Sequence, residues 1–328
     1  MDKIIVIGSN SFSGAHFADY ALEQGLDVVG ISRSPEPHPL FLPYKKRGNA
    51  PFRFFQCDLN EDLVTIMKII EDFRPDYVVN FASQSMVAES WHNPEHWFIT
   101  NVVATIKFHD HLRKCDFLKK YVHVSTPEVY GTCKGIVKEN TNYCPSTPYA
   151  VSRAAADMSL MTFHKAYNFK VAFTRAANVY GPGQQLYRII PRTILFFLIG
   201  RKLQLHGGGA SSRSFIHIRD VADGTLRTTR QASPGEIYHL STTRNISIRA
   251  LVEMIAKQLS IDFDKNIDVA EERVGQDATY LLDSSAARGM LGWQDQISLE
   301  QGIEETIAWV KDNLDILKQL PLDYIHKP

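Results

Sequence analysis

Residues Lys3–Ile7 read as a buried β-strand and run without a break into Gly8-Ser9-Asn10-Ser11-Phe12-Ser13-Gly14. No other stretch constrains the fold as strongly. Glycine at the first position lets the chain turn sharply off the strand, and glycine at the last lets the next helix approach closely. The residues between them lead into a helix expected over about 13–24. Backbone amides at such a helix start, with the helix dipole behind them, favour an anion. The segment therefore predicts the pyrophosphate-binding turn of a βαβ unit, made by Gly8, Asn10, Ser11, Phe12, Ser13 and Gly14. The usual pattern, GxxGxxG, has a middle glycine where Ser11 stands here. A plain strand-to-helix turn is the competing reading. The position at the first strand of an alternating series favours the ligand loop.

That series continues. Strands are expected at 27–32, 52–57, 76–81, 120–125 and 170–174, and helices at 61–73, 94–114 and 149–167. Such alternation implies right-handed crossovers and a parallel sheet with helices on both faces. The expected fold class is α/β, a Rossmann-type doubly wound parallel sheet with a smaller mixed C-terminal lobe. After about Gly181 the rhythm changes. A helix at 191–200 precedes the turn Gly207–Gly209, and a short strand at 214–218 with a helix from Asp220 is expected to return to the sheet. Helices at 247–259 and 298–314 are assigned to the smaller lobe. The expected division is 1–180 with 214–245 for the dinucleotide-binding domain, and 181–213 with 246–328 for the substrate lobe. Ligands of open sheets lie outside the carboxyl ends of the strands, where the smaller lobe would close over them.

Lysine plus arginine and aspartate plus glutamate number 36 each. That balance argues against a nucleic acid or a membrane surface as partner. The longest apolar run, around 194–199, is far too short to span a bilayer, and the N-terminus enters a strand pattern rather than a signal peptide. A cytoplasmic location is expected. Cys57, Cys115, Cys133 and Cys144 form no CxxC pair, so reduced thiols are expected and no metal site.

NAD-specific sites carry an acid at the end of the second strand, where it binds the adenosine ribose. Here that strand ends in Ser32-Arg33-Ser34. A guanidinium flanked by hydroxyls suits a 2′-phosphate, which favours NADP, with NAD as the alternative. Asp58, just after the third strand, is placed at the adenine, with Leu59 a further cofactor contact; Phe81, Ala82 and Ser83, at the end of the fourth, are expected beside the cofactor, with Ser83 also a candidate for the substrate pocket.

Two further segments carry chemistry. Ser125-Thr126-Pro127-Glu128-Val129-Tyr130-Gly131 follows the fifth strand, and Tyr149 and Arg153 open the next helix. At i and i+4 they share one helical face. A cation one turn away stabilises a phenolate, so Tyr149 is expected to act as a base near neutral pH. The competing reading has Tyr149 packed in the core and Arg153 solvated.

Taken together, these motifs resemble an extended short-chain dehydrogenase/reductase. The likeness rests on the loop at 8–14, the S-T-x-E-x-Y-G segment, the Tyr149–Arg153 pair and Arg175-Ala-Ala-Asn-Val-Tyr-Gly-Pro. It continues through Leu205-His206-Gly207-Gly208-Gly209, Arg213-Ser214-Phe215-Ile216-His217 and Leu291-Gly292-Trp293, and so covers essentially the whole chain. S-T-x-E-x-Y-G is most similar to the nucleotide-sugar 4,6-dehydratases, and Asn80-Phe81-Ala82-Ser83-Gln84-Ser85 to those acting on GDP-sugars. There are two departures. Arg153 stands where the family has lysine. Pro127 stands where dTDP-glucose dehydratases carry aspartate, though GDP-mannose dehydratases also lack that acid.

The resemblance implies a redox-neutral cycle on an NDP-hexose, with a GDP-linked hexose or N-acetylhexosamine favoured. Tyr149 takes the 4-hydroxyl proton as C4 is oxidised, and Thr126 orients that hydroxyl. Glu128 removes the C5 proton, water leaves from C6, and hydride returns to C6. Arg153 assists Tyr149, and both also contact the cofactor, which stays bound. Gln84, Ser85, Thr126, Glu128, Asn178, Arg188, Arg213 and Arg273 are implied substrate contacts, with Asn101 structural. A UDP-glucuronate decarboxylase, a sugar 4-epimerase and a non-catalytic dinucleotide sensor are the alternatives. Family members pair the helices at 94–114 and 149–167 across a dimer axis, which implies a homodimer through a four-helix bundle.

Overall fold

The computed structural model describes residues 1–48, 51–133, 135–271 and 281–327. Its centre is a seven-stranded sheet built from β1 (Lys3–Ile7), β2 (Asp27–Ser32), β3 (Phe52–Gln56), β4 (Tyr77–Asn80), β5 (Lys120–Val124), β6 (Val171–Ala176) and β7 (Ile237–Leu240). The spatial order is β7-β6-β5-β4-β1-β2-β3, and every neighbouring pair is parallel. This is the Rossmann-type doubly wound sheet that the sequence predicts. Its order reverses between β1 and β4, so the carboxyl ends of those strands open a crevice.

Alternation along each strand sorts the core. Ile4, Val6, Val28, Val79 and Val122 face α1 (Phe12–Glu23) and the helix Ile218–Gln231. Ile5, Ile7, Val29, Val78 and Tyr121 face the other layer. That layer contains α2 (Leu63–Phe73) and α3, which is Pro94–Phe98, a π-helical stretch Ile99–Ala104 and Thr105–Leu112 in succession. Side chains i and i+2 of a strand share a face, and because both faces are covered the central strands β1, β2 and β4 are mostly apolar. A second core joins α5 (Ile189–Leu198), Leu203–His206, the later helix Ile248–Leu259 and Leu299–Asp312. Between α3 and α5 runs α4 (Pro148–Tyr167), capped by Thr147, whose hydroxyl accepts from the Ala150 amide at 3.2 Å.

One expectation needs correction. The strand Phe215–His217 does not return to the main sheet; it pairs with Asn178–Tyr180 in a sheet of two. The helix after it (Ile218–Gln231, α6) packs on α1 instead and delivers β7 to the sheet edge. In chain order α7 is Ile248–Leu259 and α8 is Leu299–Asp312. No helix among the described residues is long and apolar enough to cross a membrane.

Candidate active site

The loop at 8–14 is closed by its own serine. Ser11 caps α1: its hydroxyl accepts from the Gly14 amide at 3.0 Å and donates to the Gly8 carbonyl at 2.7 Å. Its backbone is extended (φ −71°, ψ 158°), so the missing middle glycine creates no strain. Gly8 and Gly14 are different. Gly8 has φ +82°, and a Cβ on it would lie 2.6 Å from the Ala82 nitrogen; one on Gly14 would lie 2.2 Å from the Gly8 carbonyl oxygen. Side chains are thus excluded where the backbone must approach a ligand. Ser11, Phe12 and Ser13 line the central cavity. Asn10 donates its amide to Ser32 Oγ and its side chain to the Ser34 carbonyl, both at 2.9 Å, tying the loop to the end of β2.

The remaining cofactor candidates frame the same strand ends. Arg33 donates to the Lys327 carbonyl at 3.0 Å. Asp58 accepts from the Asn60 amide at 2.8 Å in a local turn. Leu59 and Phe81 are buried, and Phe81 and Ser83 line the cavity. The Ala82 amide donates to Asn80 Oδ1 at 2.9 Å.

At the heart of the cavity stand Thr126, Glu128, Tyr149 and Arg153. β5 delivers Thr126, which caps the single helical turn Pro127–Tyr130 and accepts from the Glu128 amide at 3.3 Å. Pro127 occupies the first position of that turn, where an N–H has no intrahelical partner to lose. Tyr149 and Arg153 lie one turn apart on α4, and Thr126 lines the same cavity as the Tyr149 phenol. Burial is the largest influence on that phenol and raises it above its ordinary range. Arg153, Thr126 and Arg188 pull it down, and Glu128 pushes it up. The cation effect expected from i, i+4 spacing is therefore present, but burial outweighs it. Arg153 itself is 2% exposed; it is not a solvated surface residue.

The cavity, about 980 Å³, extends from these four residues towards α5 and the strand Leu203–His206. Ser85, Asn178, Arg188 and Arg213 line it. Gln84 is placed differently. Its side-chain amide donates to the Lys327 carbonyl at 2.7 Å, and its backbone is held by Asn101. Arg273 lies outside the described residues. Sequence reasoning missed Gln184, Tyr187 and Arg192, which also line the cavity; they sit in the loop and helix start that follow Asn178–Tyr180, where no motif marks them. It also missed His123 and Asp157. Both are fully buried, and polar residues at core positions were the available signal.

Asp157 is the hub beneath the site. Its Oδ2 accepts from Ser125 Oγ at 2.7 Å and from Arg175 Nη2 at 2.8 Å. Arg175 also donates to the Tyr143 hydroxyl at 3.0 Å and to the Tyr130 hydroxyl, and that phenol lies 2.7 Å from His239 Nε2 on β7. The loop at 125–131, α4, β6 and β7 are thereby locked together.

Comparison with known proteins agrees with this geometry. The model of the family described as GDP-mannose 4,6 dehydratase matches residues 5–306. A dTDP-glucose 4,6-dehydratase from Xanthomonas campestris pv. campestris is 30% identical over 329 residues, covering 94% of this chain and 93% of its own. A trifunctional UDP-glucose 4,6-dehydratase/3,5-epimerase/reductase of Arabidopsis thaliana is 28% identical, and the chain spans 47% of that longer protein. Among solved structures, the dTDP-glucose 4,6-dehydratase DesIV from Streptomyces venezuelae, with NAD and TYD bound, superposes with a TM-score of 0.87 at 28% identity, covering 96% of this chain and 98% of its own. The chain belongs to the GDP-mannose 4,6-dehydratase family, among the nucleotide-sugar 4,6-dehydratases of the extended short-chain dehydrogenase/reductase type.

Proposed function

We propose that the protein converts an NDP-hexose to its 4-keto-6-deoxy sugar. The observation that carries this reading is that Thr126, Glu128, Tyr149 and Arg153 line one cavity. Tyr149 takes the 4-hydroxyl proton, with Thr126 as its relay. A 4-ketone acidifies the C5 hydrogen. Glu128 is the carboxylate that removes it, and the 6-hydroxyl leaves as water. Pro127 has no proton to give, so Glu128 itself or a water protonates the leaving group. A 4-epimerase would have no use for Glu128, which supports dehydration.

A nicotinamide dinucleotide fits the residues present. Gly8 and Gly14 keep side chains off the loop, Ser11 to Ser13 open α1 towards the cavity, and Arg153 retains two buried donors, Nε and Nη1, without partners. When bound, this cofactor supplies both the hydride acceptor and the hydride donor, so the cycle consumes no reductant. NADP is the preferred form, because Arg33 and Lys327 bring two cations to Ser34 at the end of β2 and no acid stands there. The NAD bound to DesIV makes NAD the rival. Fluorescence titration separates them: NAD binding as tight as NADP would reverse the preference.

For the substrate, Asn80-Phe81-Ala82-Ser83-Gln84-Ser85 favours a GDP-linked hexose or N-acetylhexosamine, whereas the names of the relatives favour dTDP- or UDP-glucose. The deciding experiment incubates the enzyme with all three classes. Loss of one water with a base-labile 4-keto chromophore is the expected product signature. Loss of carbon dioxide from a uronate, or simple epimerisation, would overturn the reading.

The same reading includes a homodimer. Phe98, Ile99 and Val103 on α3, Val151 and Met158 on α4, and nearby Trp91 are exposed and apolar, enough for two helices to pair with their copies. A monomeric mass by light scattering at micromolar concentration would rule it out.

A further inference from the structure

Arg153 is held in an unusual way. Its Nη2 donates to the Val124 carbonyl and lies 3.1 Å from His123 Nε2. Guanidinium nitrogens cannot accept hydrogen bonds, so His123 Nε2 must be the acceptor. The ring is then neutral, with its proton on Nδ1, which faces the Tyr121 hydroxyl at 3.2 Å. That hydroxyl in turn accepts from Asn80 Nδ2 at 3.0 Å. The edge of Phe173 closes another side of the imidazole, with ring centroids 6.2 Å apart. Asp157 Oδ1 lies 3.7 Å from Nε2. His123 has no exposed surface. Burial, then the positive charges of Arg153, His109 and Arg175, hold its pKa well below the ordinary histidine range. The ring is therefore a fixed acceptor whose protonation does not change near neutrality.

The other end of the guanidinium is different. Nε and Nη1 of Arg153 are buried without a hydrogen-bond partner, and the residue lines the cavity beside Tyr149. One nitrogen is pinned from below by β5, and the remaining donors are left for whatever occupies the cavity.

We propose that His123 is a positioning residue that adapts this site to arginine, by fixing the Arg153 guanidinium so that Nε and Nη1 serve the bound dinucleotide and the Tyr149 phenolate. A lysine at 153 would be a compact point charge on a flexible stem, with one nitrogen and no planar fork for the imidazole to orient. His123 therefore matters only when arginine is present. This inference rests on the dinucleotide site of the proposed function.

The test is a double-mutant cycle with His123→Phe and Arg153→Lys. His123→Phe keeps an aromatic ring but removes the acceptor. In the arginine background it is expected to lower kcat and weaken dinucleotide binding about tenfold, the scale of one hydrogen bond to a charged group, with KM for the nucleotide sugar unchanged. In the Arg153→Lys background the same substitution should change neither quantity. His123→Asn, which restores a side-chain acceptor, should recover most of the loss, and near-native melting of each variant separates positioning from misfolding. Equal losses in both backgrounds would mean a merely structural histidine and would overturn the proposal, as would wild-type kinetics in His123→Phe. If the wild type turns over no nucleotide sugar, the dehydratase reading fails while the cycle on dinucleotide affinity still decides for or against His123. If the wild type binds no dinucleotide, both fail.

Discussion

At the scale of single residues the site is a contest between burial and charge over one phenol. In its proposed role as the base, Tyr149 works deprotonated, so the rate should rise with pH through its pKa. Burial raises that pKa, and Glu128 raises it further, while Arg153 and Arg188 lower it. Removing the Glu128 charge should therefore move the acid limb of kcat/KM to lower pH, and Arg188→Met should move it to higher pH. Profiles of single-turnover C4 oxidation check both signs; a limb that stays fixed in both variants would show that another group titrates. Glu128→Gln has a second expected effect. It should still oxidise C4 but lose on the order of a thousandfold in water elimination, the usual scale for a missing general base, read as a 4-keto sugar that retains its 6-hydroxyl. Near-normal 4-keto-6-deoxy product would remove Glu128 from that role.

At the scale of elements the structure is held by polar ties that local pattern does not reveal. Asn101 lies in the π-helical stretch of α3, and such bulges recur at functional sites. Its Oδ1 accepts from the Gln84 amide at 2.8 Å, while Nδ2 donates to the Gln84 carbonyl at 3.0 Å and to Ser152 Oγ at 2.9 Å. One side chain thus stitches the loop after β4 to α4. Asn101→Leu strands both backbone groups of the buried Gln84 and should cost about 1–3 kcal/mol, seen as a lower urea midpoint with an unchanged slope. The sequence predicts a single helix over 94–114 and a structural role for Asn101, because apolar periodicity survives one extra residue in a turn. It does not predict the tie to Gln84, which depends on a contact 17 residues away. The same holds for β7. Four residues, Ile237–Leu240, carry too little alternation to read as a sheet strand. His239 is accommodated in the core through the phenol of Tyr130, 109 positions earlier. By contrast β1 to β6, the loop at 8–14 and the cluster of Thr126, Glu128, Tyr149 and Arg153 were legible, since each is specified by short-range pattern. The cations along the cavity were legible only through resemblance.

At the scale of the whole molecule, the segment at 321–327 runs from the α5 side of the cavity to the ends of β2 and β4. Asp323 pairs with Arg192 at 2.8 Å, and the Tyr324 ring meets Tyr187 edge-on at 5.4 Å. His326 stacks on Trp97, with centroids 5.1 Å apart and planes within 6°, and its Nε2 lies 2.9 Å from His96 Nδ1. The Lys327 carbonyl then accepts from both Arg33 and Gln84, so two residues at the proposed dinucleotide groove are bound to this strap. A redox-neutral cycle works only while its cofactor stays in place between half-reactions, and a strap anchored in this way is expected to slow release. Deleting the residues after Leu320 removes one ion pair, the ring contacts of Tyr324 and His326, and the hydrogen bonds that tie His326 to His96 and Lys327 to Arg33, Gln84 and Ser34. The expected result is dinucleotide release accelerated about tenfold or more, measured by stopped-flow fluorescence, with the C4-oxidation rate at saturating cofactor unchanged. Unchanged release would place the strap outside the cofactor's exit path. Tighter binding after deletion would mean that residues 326 and 327 compete with the adenosine end rather than retain it, since a segment that must be displaced lowers apparent affinity in proportion to the fraction of molecules in which it is closed.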